Sequence, residues 1–315
     1  MAQSAAKTGF GDLPKEFRQY ASSAIVVLPV PYDGTSTWKK GADRGPAALL
    51  EASANMELFD IETESEVYRR GIHTLPAITH RGKPELLAPK VETAVGRILD
   101  AGKFPVTLGG EHSISIGAIQ SLATRVPDCS ILQIDAHGDT RESFHGSQYN
   151  HACVMARARE LFPITQVGIR AIDAEEYPAM DQRRVFWGHD LHGRFDERFT
   201  DKWVGEVIKQ QSKHVYVTID LDAFDPAFVG GTGTTEPGGL SWGQVNALLK
   251  RLAAERTVIG FDVVELLPAP GQWASDMLAA KLVYRFLSEV FEGAGRKKRP
   301  AARAKRTPSR SRSRG

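Results

Sequence analysis

Six short apolar runs, at 24–30, 104–108, 130–134, 165–169, 214–219 and 257–263, are rich in β-branched residues and too short for helices. Between them lie longer stretches in which apolar residues recur every three or four positions. In 85–100, for example, Leu87, Val91, Val95, Ile98 and Leu99 share a face and Gly102 follows as a cap. Helices are expected over 45–56, 85–100, 113–124, 152–161, 197–211, 242–255 and 276–291. Gly45-Pro46 opens the first with proline in its favoured first turn. Pro89 places the regular start of the second close to that residue. Continuous apolar strands alternating with helices predict an α/β fold, a mainly parallel sheet covered by helices on both faces. No repeat or internal linker interrupts the pattern, so residues 24–292 read as one domain. An N-terminal extension (1–23) precedes it and a basic tail (293–315) follows.

Composition changes this picture little, and charge changes it more. At 315 residues, with 42% hydrophobic and 25% charged residues, the chain reads as an ordinary globular protein. No apolar run is long enough to span a bilayer, and Met1 to Lys7 lacks a signal-peptide core; a cytoplasmic location is expected. Two cysteines, Cys129 and Cys153, make no disulfide framework and no zinc spacing. The net charge of +2 conceals an uneven distribution. Ten basic and no acidic residues fall from Arg296 onward, leaving 30 Lys and Arg against 38 Asp and Glu, a body near −8. An acidic body suits a cationic substrate or metal ions. The tail composition predicts disorder, and a nucleic-acid contact through it is one alternative.

Candidate chemistry sits where three of the strands run out: Gly109-Gly110-Glu111-His112-Ser113, Asp135-Ala136-His137-Gly138-Asp139 and Asp220-Leu221-Asp222-Ala223-Phe224-Asp225-Pro226. Carboxylates and imidazoles at buried strand ends must be paired or bound to something. Each cluster alone has a plainer reading, as a capped turn or a polar loop. The third fails the calcium-loop pattern, with Phe224, Asp225 and Gly231 at the wrong positions. Together they offer six ligands: His112, Asp135, His137, Asp139, Asp220 and Asp222. Residues 135, 137 and 139 would converge if the backbone stays extended. Four carboxylates and two imidazoles suit hard ions such as Mn²⁺. They are too many for one open catalytic ion and right for two sharing bridging carboxylates, which would lower the pKa of a shared water.

These three clusters resemble the signatures of the ureohydrolases, the arginase and agmatinase superfamily. Val30-Pro31-Tyr32-Asp33-Gly34-Thr35, Gly41 to Pro46, Gly260 to Glu265 and the loop Gly233 to Gly239 are similar to further family segments, with Thr235 in place of the usual proline and Glu111 where many members carry aspartate. The resemblance covers about 24–291. It implies a three-layer α/β/α fold with a central eight-stranded parallel sheet and two Mn²⁺ ions, with nickel or cobalt as alternatives. One ion would take His112, Asp135, Asp139 and Asp220; the other Asp135, His137, Asp220 and Asp222. It also implies a cationic guanidino substrate, cleaved to urea and an amine, and a homotrimer or homohexamer. Glu265 would hold the guanidinium, as carboxylates pair with that planar group. Asp139 would accept a hydrogen bond from the attacking hydroxide. His151 would relay a proton to the leaving amine, with His145 as a competitor, and Glu236 would add negative charge. Substrate tails would be read by 141–150 and 34–40. The stretch 141–147 looks more like agmatinases than arginases, so agmatine is the expected substrate. Arg141, a carboxylate partner in principle, keeps guanidino acids open. Guanidinobutyrate, aminopropylagmatine, guanidine, arginine and formiminoglutamate are the alternatives, as is a nucleic-acid-binding protein with a structural metal site.

Overall fold

In the computed structural model, residues 9–194 and 196–293 are described; the basic tail expected over 293–315 lies outside them except for its first residue. In chain order the elements are β1 (Ile25–Val30), α1 (Gly45–Ser53), β2 (Ile72–Thr74), α2 (Pro84–Asp100), β3 (Phe104–Gly109), α3 (Ile114–Gln120), β4 (Cys129–Ile134), α4 (Val154–Arg159), β5 (Ile164–Ile169), β6 (Val185–Trp187), α5 (Gly188–Leu191), α6 (Glu197–Lys209), β7 (His214–Asp220), α7 (Trp242–Glu255), β8 (Thr257–Val264) and α8 (Ala274–Phe291). The eight strands form one sheet in the order β2-β1-β3-β8-β7-β4-β5-β6, and every pairing is parallel.

Strand side chains alternate between two cores. Ile25 and Val27 of β1 join the cluster beneath α1, α6, α7 and α8, whereas Val26, Leu28 and Val30 join the one beneath α2, α3 and α4. The result is the expected three-layer α/β/α sandwich, with strands mostly apolar on both faces because neither face meets water. Residues 9–23 pack onto it: Phe10 and Leu13 are buried in the first core. Among the described residues, no helix is long and apolar enough to cross a membrane.

Two expectations need correction. Helix α2 begins at Pro84 and runs through Pro89. Pro89 forfeits one intrahelical bond, to the carbonyl of Glu85, and burial of Leu87, Val91, Val95 and Ile98 outweighs that loss. Helix α4 is shorter than 152–161, because residues 151–153 form a 3₁₀ turn capped by the Asn150 side chain.

The order of the strands sets the site. The chain builds β3 and β4 apart, then returns to fill the gap with β7 and β8, so the strand order reverses there. Such a switch point opens a crevice beyond the carboxyl ends of the strands. Gly110 crosses this crevice against the backbone of Tyr32: a Cβ there would lie 2.0 Å from the Tyr32 carbonyl oxygen. Gly110→Ala is therefore expected to cost about 2–4 kcal/mol, read as a lower midpoint in denaturant unfolding. An unchanged midpoint would show that the two segments can separate freely.

Candidate metal centre

Four adjacent strand ends supply the polar groups. His112 follows β3, Asp135 to Asp139 follow β4, Asp220 closes β7 with Asp222 in the next 3₁₀ turn, and Glu265 follows β8. His112, Asp135, Asp139, Asp220, Asp222 and Glu265 are all buried, and His137 is 28% exposed.

Two constellations form, and Asp135 belongs to both: His112 with Asp135 and Asp139, and Asp135 with His137 and Asp222. One Asp135 oxygen, Oδ2, lies 3.2 Å from His112 Nδ1; the other, Oδ1, lies 3.7 Å from His137 Nδ1. His137 Nδ1 is 2.9 Å from Asp222 Oδ2. Asp220 reaches His112 Nδ1 with Oδ2 at 3.5 Å but completes neither constellation; its Oδ1 accepts the Asp222 N–H. The side chains at 135, 137 and 139 do converge, but not by strand alternation. Strand β4 ends at Ile134, and Asp139 sits at φ +52°, a left-handed conformation that turns its side chain toward His112. Glu265 is likewise left-handed, at φ +63°; its N–H is bonded to the Gly110 carbonyl and its Oε1 accepts the His112 N–H. Both strained residues lie in the cleft, where strain held by its surroundings is usually found.

Whether these groups suit a cation is tested by His112. Its Nε2 lies 2.8 Å from Thr218 Oγ1, whose hydroxyl donates to Asp262 Oδ1 at 2.6 Å, so Nε2 carries the hydrogen. The remaining nitrogen, Nδ1, is buried without a hydrogen-bond partner, 3.0 Å from Asp139 Oδ2 and close to Asp135 and Asp220. A ring nitrogen aimed among three carboxylates calls for positive charge there, either a proton on Nδ1 or a cation between the groups, and ligating imidazoles are typically fixed in this way by a bond to the other nitrogen. The donor set fits divalent cations.

With protons as the only cations, repulsion dominates. Burial and the Asp222 and Asp139 charges push Asp135 up to about 7. Burial, Asp222 and Asp135 raise Asp220 well above the carboxylate range. Burial and Glu111 raise Glu265 in the same way. Burial opposes the charge on His137, but Asp222 and Asp135 outweigh it and lift it to about 10. For His112 burial is likewise outweighed by Asp135 and Asp139.

The cavity over these groups has a volume of about 320 Å³, and His151, Glu236, Thr234, Phe144, Thr37 and Arg141 also line it. His145 does not; it stacks on Phe144 with centroids 4.2 Å apart. Arg141 lies over the Phe144 ring and is shared by Asp173 (3.4 Å) and Glu176 (3.5 Å).

Several supporting residues escaped the sequence reading. Arg170 donates to the carbonyls of Asp222 and Glu236 at 2.7 and 2.6 Å and to that of Pro237 at 3.1 Å, tying the 231–239 loop to the ligand turn. Asp225, named in the third cluster without a role, accepts the Gly238 and Gly239 N–H groups of the same loop with Oδ2. Gln133 donates to Asp135 Oδ2 and accepts from Gln166. A polar residue within an apolar run, as at Gln133, Gln166 and Asp262, was the available signal.

Residues 23–288 match the model of the Arginase family. This chain belongs to that family. Among curated relatives, the N(1)-aminopropylagmatine ureohydrolase of Synechocystis sp. is 37% identical over 291 residues, 87% of this chain and 93% of the relative. That of Thermus thermophilus is 38% identical over 269 residues, 84% of this chain and 89% of the relative. The crystal structure of the agmatine ureohydrolase of Thermoplasma volcanium is similar at TM-score 0.80 and 33% identity, covering 89% of this chain and 94% of that one. The resemblance to the ureohydrolases and the arginase-like fold are thus established.

Deprotonated ligands are required for metal, so loading this arginase-family site must expel the protons that Asp135 and His137 hold near pH 7. Mn²⁺ binding is expected to strengthen as pH rises from about 6 to 8 and to release about one proton or more per chain. Calorimetry in buffers of differing ionisation enthalpy measures this; a heat independent of buffer would contradict it.

Proposed function

We propose that this chain hydrolyses a linear guanidino-amine to urea and a primary amine. The observation that carries the reading is the paired constellation around Asp135 beneath a cavity rimmed by acid. His112, Asp135 and Asp139, with Asp220, would hold one divalent ion; Asp135, His137 and Asp222, again with Asp220, the other. Manganese suits this mixed oxygen and imidazole set. When bound, such a pair lowers the pKa of water and so supplies a nucleophile at neutral pH.

The remaining work falls to side chains. Glu265 Oε1 is engaged by the His112 N–H, which leaves Oε2 to pair with a guanidinium and orient its carbon. Asp139 accepts the hydrogen of the attacking group and so fixes its direction. His151 delivers a proton to the departing nitrogen as the C–N bond breaks, a task suited to an imidazole.

The substrate tail is read at the rim. Arg141 is the only guanidinium or ammonium among the described residues lining the cavity, and two carboxylates already engage it. A substrate carboxylate would therefore meet acid, which disfavours arginine and guanidino acids and favours agmatine. Glu236 and Asp173 also leave room for a second cationic centre. That observation, with the names carried by the Synechocystis and Thermus relatives, favours the aminopropyl derivative of agmatine as a second reading.

We take the catalytic unit to span 24–292 and the basic tail to be dispensable. Urea release from agmatine, aminopropylagmatine, arginine and guanidinobutyrate, with Mn²⁺ supplied, tests the proposal. One or both amines should exceed the two acids in kcat/KM by about 100-fold or more, and a chain ending at residue 293 should match the full chain. Glu265→Gln should lower kcat/KM by at least about 100-fold. Urea from none of the four, or preference for an acid, would overturn the reading.

A further inference from the structure

Glu111 is a carboxylate that the ligand set leaves unused. It is fully buried, and four donors rather than a cation hold it. Its Oε1 accepts the Thr35 N–H (3.2 Å), the Thr35 hydroxyl (2.9 Å) and the Ser113 hydroxyl (2.8 Å); its Oε2 accepts the Ser113 N–H (2.7 Å). The Thr35 hydroxyl therefore spends its only hydrogen on Glu111, and Thr35 Oγ1 can act toward other groups only as an acceptor.

Two groups of His151 use that oxygen. The backbone N–H donates to it at 3.0 Å, and ring Nδ1 lies 3.0 Å away. A hydroxyl oxygen has two lone pairs, so both contacts are satisfied only if Nδ1 carries a hydrogen. An unprotonated Nδ1 would set two lone pairs against each other. Nε2 has no hydrogen-bond partner among the described residues, and His151 lines the cavity, its ring meeting that of Phe144 edge-on at a centroid distance of 6.1 Å.

We infer that Thr35, oriented by Glu111, is a positioning residue that fixes His151 as the Nδ1–H tautomer and reserves Nε2 for proton exchange in the cleft. The last clause rests on the proposed guanidine hydrolysis; the tautomer does not. The sequence separates Thr35 from His151 by 116 positions, so the fold alone makes this pair.

The test uses full-length protein with ¹⁵N-labelled histidine, loaded with diamagnetic Cd²⁺, and assigns the His151 ring from its loss in His151→Gln. Two-bond ¹⁵N–¹H correlations should show Nδ1 protonated and Nε2 bare at alkaline pH. This arm needs no variant, and an Nε2–H tautomer would overturn the inference. With Mn²⁺, Thr35→Val should lower kcat roughly 10- to 100-fold and shift its pH profile, with KM within about threefold and metal content unchanged. Thr35→Ser, which keeps the oxygen, should restore most of the loss. Thr35→Val with wild-type kcat and pH profile would also overturn it. Absence of urea release from the wild type would instead sink the guanidine reading and leave the tautomer to the NMR arm.

Discussion

Bringing several carboxylates together away from water is the constraint around which this molecule is arranged. Asp135, Asp139, Asp220, Asp222 and Glu265 are buried at neighbouring strand ends. At the reduced effective dielectric of a protein, like charges a few ångströms apart repel by several kcal/mol, and each has also lost its hydration. Without a cation, protons on His112, His137 and Asp135 would relieve part of this, the direction in which their neighbouring carboxylates push these groups. Divalent cations relieve more, since each brings two charges and takes several oxygens at once. The sandwich below supplies the rigidity: four parallel strands with apolar residues on both faces hold their ends in fixed register, so the carboxylates cannot move apart.

The candidate ligands sit within wider polar networks, each joining different strands. Thr218 and Asp262 are register partners on β7 and β8 and together fix the tautomer of His112. Gln133 and Gln166 are register partners on β4 and β5 and hold Asp135 by one oxygen. Arg170 reaches across to the carbonyls of the Asp222 turn and the 231–239 loop. These supports explain how a site built largely on loop residues can hold its geometry.

That division also marks what the chain discloses in advance. The α/β/α layering was legible because six strands carry continuous apolar runs and the helices keep their period. Strands β2 and β6 left no signal of their own: three residues are too few to show a pattern, and they form only because a neighbouring edge offers hydrogen bonds. His112, His137 and the aspartates were legible because such residues seldom end buried strands. Their partners were not, since pairing Thr218 with Asp262 or Thr35 with His151 requires the strand order and register. Which of His151 and His145 lines the cleft needed the same information, since only the fold shows that His151 does.

Two cations flanking one carboxylate are what the proposed chemistry needs, and crystals grown with Mn²⁺ test for them directly. Anomalous difference maps at the manganese edge should show two peaks per chain, one on each side of Asp135, the first beside His112 and the second beside His137. A single peak, or peaks away from Asp135, would contradict the account.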